Sequence, residues 1–243
     1  MAPEQRYVSK ELTHFVGRSL PSDQARFELL VSILKEEGSG YGGEKGLWLT
    51  HPPHDPKQPG GNLVLSGNPL ESLEKGELVC PEMVCFCDIP SGDLGIHMEK
   101  YGQFGIAFTK EFLVERGANP VFYIEQNAFL TDHRYANGKP ERHTRRGEFF
   151  AKAAEDWKKG ANNGDRRNIL KNAVNWYFFP YIKLFGSSLD DNHEKNFYME
   201  REWRLLGNVC FQLDDIVRVI MPCEHARAFR NAVPAYSGSL TLV

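Results

Sequence analysis

Glu200, Glu202 and Arg204 stand two residues apart in the run Asn196-Phe-Tyr-Met-Glu-Arg-Glu-Trp-Arg-Leu-Leu206. The aromatic residues of that run favour pleated backbone, so a strand is expected. Alternation along a strand puts Glu200, Glu202 and Arg204 on one face and Arg201, Trp203 and Leu205 on the other. Two carboxylates and a guanidinium then lie within about 14 Å of backbone rise. Such a set can orient sugar hydroxyls and stabilise a developing positive charge. It serves equally as a solvated charge ladder across an edge strand.

Other chemistry-bearing residues are scattered. His14 falls on a short first strand, Glu11 to Arg18, with Thr13 and Phe15 on the opposite face. In Tyr101-Gly-Gln-Phe-Gly-Ile-Ala-Phe108 the glycines at 102 and 105 would let a backbone or a flat ligand approach closely, and turn formation with tight packing explains them as well. Cys80, Cys85, Cys87, Cys210 and Cys223 are odd in number, and no second cysteine pair completes a zinc site, so free thiols are expected. His51 and His54 are flanked by prolines and read as part of a rigid loop rather than a metal site. No phosphate-cradling Gly-Lys loop, dinucleotide fingerprint or nucleophile elbow occurs.

The elements that must position these residues follow from periodicity. Phe27, Leu30, Ile33 and Leu34 predict a helix over 23–36, capped by Ser22 or Asp23 and ended by Gly38. Residues 38–69 read as a long irregular loop with a short strand at 46–50. Strands are expected at 83–90, 104–108, 119–125 and 216–221. Helices are expected at 93–100, 110–116, 148–160, 166–185 and 222–232, with Pro180 kinking or ending the fourth. The polar segment 126–147 holds a basic cluster of His133, Arg134, Arg142, His143, Arg145 and Arg146, which reads as a solvated loop or a partner surface.

With 243 residues, a net charge of −3 and a quarter of the residues charged, the chain is globular and carries no field that recruits nucleic acid or anionic membrane. No signal-peptide core or membrane-length apolar run is present, so a cytoplasmic protein with no membrane partner is expected. The element order predicts one α+β domain over 1–243, with a mainly helical insertion at about 126–195. His14's strand and the Glu200–Arg204 region should share one sheet system.

His14-Phe-Val-Gly-Arg18, Val84-Cys-Phe-Cys-Asp-Ile-Pro90, His97, Tyr101 to Phe108, Gly117 to Tyr123 and Tyr198 to Arg204 together resemble the abortive phage-resistance family AbiGi. The resemblance runs from about residue 12 to 232, leaving out the middle. It implies antiphage defence, and members described as antitoxins of two-gene systems imply a cognate toxin or antitoxin, or a phage component, as partner.

A weaker resemblance links the chain to ADP-ribosyltransferase folds, which bind NAD in a cleft of a split or mixed central sheet. That resemblance implies NAD as cofactor. His14 and Arg204 would be cofactor contacts, with His14 at the adenosine end, and Tyr101 or Phe104 would stack on nicotinamide. Glu202 would hold the ribose and steady an oxocarbenium-like charge, Glu200 would orient the nucleophile, and segment 38–46 would close as a lid. ADP-ribose would pass to a protein or nucleic-acid acceptor. The Ser-Thr-Ser strand of those enzymes has no clear counterpart. On this reading Glu202→Gln removes transfer and leaves the fold intact. The competing reading is a non-catalytic antitoxin or phage sensor that uses Trp203, the aromatic segment 174–185 and the basic cluster as a partner surface.

Overall fold

The computed structural model describes residues 9–35, 38–39, 45–49, 83–127, 174, 178–190, 193 and 196–243. The chain divides into two compact units, one made of residues 1–60, 82–119 and 200–243, the other of 61–81 and 120–199. His51, His54, Cys80, the basic cluster and the helix expected at 148–160 lie outside the described residues, as does most of segment 40–82.

A seven-stranded mixed sheet organises the first unit, in the order β12-β11-β5-β1-β4-β9-β6. These are β1 (Glu11–Phe15), β4 (Met83–Cys87), β5 (Gly105–Thr109), β6 (Asn119–Pro120), β9 (Glu202–Leu206), β11 (Ile216–Met221) and β12 (Ser239–Leu242). β1 with β4, β1 with β5, β5 with β11 and β4 with β9 are antiparallel, whereas β11 and β12 run parallel from Arg218↔Ser239 to Met221↔Leu242. A three-stranded sheet joins β2 (Gly38–Ser39), β3 (Lys45–Leu49) and β10 (Val209–Phe211). Mixed α+β is therefore the class. The expected sharing of one sheet by His14 and the Glu202–Arg204 strand holds.

The ladder is uneven. β1 pairs with β5 at five positions and β4 with β9 at five, yet β1 meets β4 only at Thr13↔Cys87. The two halves of the sheet thus join at a single register point. Across that join Thr13, Cys87 and Glu202 stand in one row, and directly opposed residues share a face. One face of the sheet carries Leu12, Phe86, Ile106, Phe108, Leu205 and Val219 into the main core, packed with Phe27, Leu30 and Leu34 of α1 (Asp23–Lys35) and Phe229 of α4 (Ala226–Ala232). The other face carries Thr13, Phe15, Cys85, Cys87, Glu202 and Arg204. There Cys87, Ile89, Leu94 and Ile220 form a second apolar cluster, with Met98 of α2 (Gly95–Tyr101) against it. Gly105, opposite Phe15 on β5, is closely enclosed: a Cβ there would meet Thr13 Cγ2 at 3.2 Å and the His14 carbonyl at 3.3 Å.

Several boundaries differ from expectation. Gly38 pairs with Gly46 in a strand instead of capping α1. The strand expected at 119–125 divides into β6 and β7 (Phe122–Glu125). Most of the helix expected at 166–185 lies outside the described residues, and its last part is not helical: Phe179–Tyr181 is a 3-10 turn and Ile182–Phe185 is β8, parallel to β7. Pro180 removes a helical donor there, and the run Ile-Lys-Leu-Phe finds a ladder instead. β12 forms in a segment for which the sequence pattern predicts no strand. The third helix, α3 (Lys110–Glu115), is capped by Thr109, whose hydroxyl accepts the Phe112 amide.

Candidate functional site

The expected strand from 196 starts late. Tyr198–Glu200 is a 3-10 turn, Arg201 has φ 44°, and only from Glu202 does the chain enter β9. A left-handed residue other than glycine is strained and needs support. The Arg201 carbonyl has that support, accepting the Asp88 amide at 3.1 Å. The kink aims Glu200 at α2 while Glu202 stays on the strand.

Neither carboxylate is part of a solvated ladder. Glu202 is 5% exposed, Glu200 6% and Arg204 0%, and β9 lies inside the sheet between β4 and β6. The edge-strand reading is thereby overturned. Arg204 Nε donates to Glu202 Oε1 at 2.6 Å and Nη2 donates to Oε2 at 3.3 Å, a forked pair between neighbours on one face. Glu200 Oε1 accepts Lys100 Nζ at 2.7 Å and the Tyr101 hydroxyl. Each buried charge therefore has an opposite charge in contact, as burial demands.

Tyr101, the last residue of α2, sits in an aromatic stack. Phe15 lies 6.1 Å away at 19° and His97 6.3 Å away at 29°, while Arg18 Cζ stands 4.8 Å over the ring. Gly102, with φ 96°, ends the helix so that the ring turns toward the sheet. Burial pushes the Tyr101 phenol well above the ordinary tyrosine range, reinforced by the Glu200 charge and hydrogen bond and by Glu202, and opposed by Arg18. Tyr101 is thus a neutral donor to Glu200 and not a base. Cys87, beside Glu202 in the register, is pushed up to about 12, first by burial and then by Asp88 and Glu200. It is no thiolate nucleophile at neutral pH.

The structure brings Tyr101, Glu200, Glu202 and Arg204 together and leaves two of the expected residues elsewhere. His14 alternates onto the main-core face, 6% exposed, with its ring edge-on to Phe86 at 5.9 Å and Nδ1 2.8 Å from the Cys85 carbonyl. It bridges the gap in the β1–β4 ladder. Phe104 is fully buried in the main core, edge-on to His225, so no face of its ring is open to a nicotinamide. Three neighbours were not singled out from sequence: Phe15, Lys100 and Arg18. Phe15 follows from alternation once Thr13 is placed, whereas Lys100 and Arg18 gain meaning only from the fold.

A clip closes the other side of the join. Asp88 Oδ1 accepts the Ser9 amide at 3.0 Å, Oδ2 accepts Lys110 Nζ at 2.7 Å, and Lys110 lies 5.4 Å from the Trp203 ring. The four described cysteines carry no disulfide, and among the described residues no cluster of three metal-ligating side chains occurs. No helix of the described residues is long and apolar enough to cross a membrane.

Comparison with known proteins places these motifs. No solved structure matches the chain, and an ADP-ribosyltransferase-like fold gains no support from that side. The abortive phage resistance protein AbiGi of Lactococcus lactis subsp. cremoris is 40% identical over 55 residues, a match spanning 21% of this chain and 22% of that protein. Residues 73–228, well over half of the chain, match the family model described as "Putative abortive phage resistance protein AbiGi, antitoxin", and the match takes in α2, β4, β5 and β9. The chain belongs to the AbiGi family of abortive phage resistance proteins.

Proposed function

We propose that this protein serves abortive phage resistance as the binding, antitoxin member of a two-gene system, holding its partner without turnover. One observation carries the reading: both carboxylates expected to do chemistry are buried and engaged, Glu202 by Arg204 and Glu200 by Lys100 and Tyr101. Charges held this way fix a shape, since each would have to break a buried pair before meeting a substrate. The family description as antitoxin points the same way.

A second reading keeps NAD as cofactor and a protein or nucleic acid as acceptor of ADP-ribose. It is favoured by Phe15, Tyr101 and Glu202 lying on one face with an aromatic stack beside a carboxylate. One experiment separates the two. The chain is co-expressed with the product of the gene next to its own, and growth is followed with either gene alone and with both. In parallel, calorimetry with NAD and a labelled-NAD transfer assay are run on the purified chain. The antitoxin reading expects the neighbouring product to arrest growth, this chain to relieve it through a stable complex, and NAD to give neither heat nor transfer. Transfer of labelled ADP-ribose by the wild type would replace it with the enzymatic reading.

A further inference from the structure

The loop after β1 displays one cation in a fixed setting. Gly17 has φ 77°, and a Cβ there would meet Arg26 Cγ at 3.0 Å and Leu20 Cδ1 at 3.1 Å. The Leu20 amide closes a turn onto the Gly17 carbonyl at 2.9 Å. Arg26 then staples that turn from α1: Nε donates to the Gly17 carbonyl at 3.2 Å, Nη2 to the Leu20 carbonyl at 2.9 Å, and Nη1 to Asp23 at 2.6 Å. One arginine is spent on holding the loop. The other, Arg18, stands exposed on it over the Tyr101 ring, and among the described residues no carboxylate forms an ion pair with it.

We propose that Arg18 is the anchor of a protein-binding surface and that the partner presents an acidic segment whose carboxylate takes the guanidinium fork. The proposal rests on the binding reading above and names the partner's chemistry. Arginine matches a carboxylate with two parallel donors, and arginine and tyrosine are the residue types that dominate interface energetics. The stapled turn and the Tyr101 face remove part of the ordering cost that a mobile arginine would meet on binding. Lys100, the next cation, is already committed to Glu200, so the uncompensated charge at this spot belongs to Arg18. A nucleotide fits less well. Its base would need the Tyr101 face that Arg18 covers, and the same ring is already stacked on Phe15 and His97.

The test uses the full chain and the product of the neighbouring gene, with calorimetry on wild type, Arg18→Lys, Arg18→Glu and Arg26→Ala. Arg18→Glu should weaken the complex by about 100-fold or more. Arg18→Lys, which keeps charge and loses the fork, should fall between. Arg26→Ala should weaken binding through the loosened turn, and binding to wild type should decline with salt. Reversing one acidic residue of the partner to Arg should restore binding to Arg18→Glu alone. Because Arg18 is exposed, unchanged thermal melting of its variants separates lost contact from lost fold. Equal binding by wild type and Arg18→Glu overturns the anchor while leaving the antitoxin reading in place. No binding by wild type overturns both. The wild type and Arg18→Glu are also titrated with ADP, and affinity for ADP that vanishes in Arg18→Glu overturns the proposal in favour of a phosphate ligand.

Discussion

Glu202 and Arg204 show how far residue types alone reach. Their alternation on one face is legible in the sequence, because a strand fixes it. Their burial is not, because it depends on α2 and on β4, more than a hundred residues away in the chain. The mutational expectation reverses accordingly. Glu202→Gln takes from the fully buried Arg204 the carboxylate that receives its fork, so the substitution should destabilise the protein by about 3–5 kcal/mol instead of leaving the fold intact. Urea unfolding of Glu202→Gln beside a Glu202→Gln/Arg204→Met double variant checks this. The double variant, with both charges gone, should recover much of the loss. If Glu202→Gln alone unfolds at the wild-type midpoint, the pair holds nothing together.

At the scale of elements, the turn into β9 departs from the straight strand that its residue types predict, for a physical reason. Nothing in Tyr-Met-Glu-Arg-Glu-Trp marks Arg201 as left-handed, since the conformation is imposed by the Asp88 amide on its carbonyl and by Glu200 on Lys100. A strand drawn straight through 196–206 therefore put Glu200 on the wrong element while placing Glu202, Trp203 and Arg204 rightly. The strain makes an ordered prediction. Arg201→Gly relieves a left-handed backbone and should match or exceed wild-type stability, to within about 1 kcal/mol. Arg201→Val should fall clearly below both, because branching at Cβ suits that region worst. Thermal melting of the three proteins decides it, and a valine variant as stable as the glycine one would contradict a left-handed turn. Ile182 to Phe185 has a helix-compatible composition, and only its parallel partner β7 makes it a strand.

The whole molecule answers to pH through groups held neutral by burial. Cys87 is pushed up to about 12 and Tyr236 to about 12, while Tyr101 lies higher still, burial being the first cause in each. The Tyr236 hydroxyl donates to the Ser239 carbonyl and so ties β12 to the turn before it. An acid whose folded value is raised adds stability that is complete below its unfolded value. That stability is lost as pH rises toward the folded one. Stability should therefore hold to about pH 8, where the unfolded thiol begins to ionise, and decline steadily toward pH 12. Denaturant titrations at a series of alkaline pH values measure this, and Tyr236→Phe should flatten the part above pH 10. A profile flat to pH 12 would show that these groups are not buried in solution. The order of strands has its own consequence during synthesis. β5 lies between β1, from residues 11–15, and β11, from residues 216–221. On the ribosome the strand at 105–109 can pair at once with the first and must wait for more than a hundred further residues before meeting the second. For that interval one row of its amides and carbonyls has no native ladder, and a nascent chain in that state is the form most open to capture by chaperones or by another chain's strand.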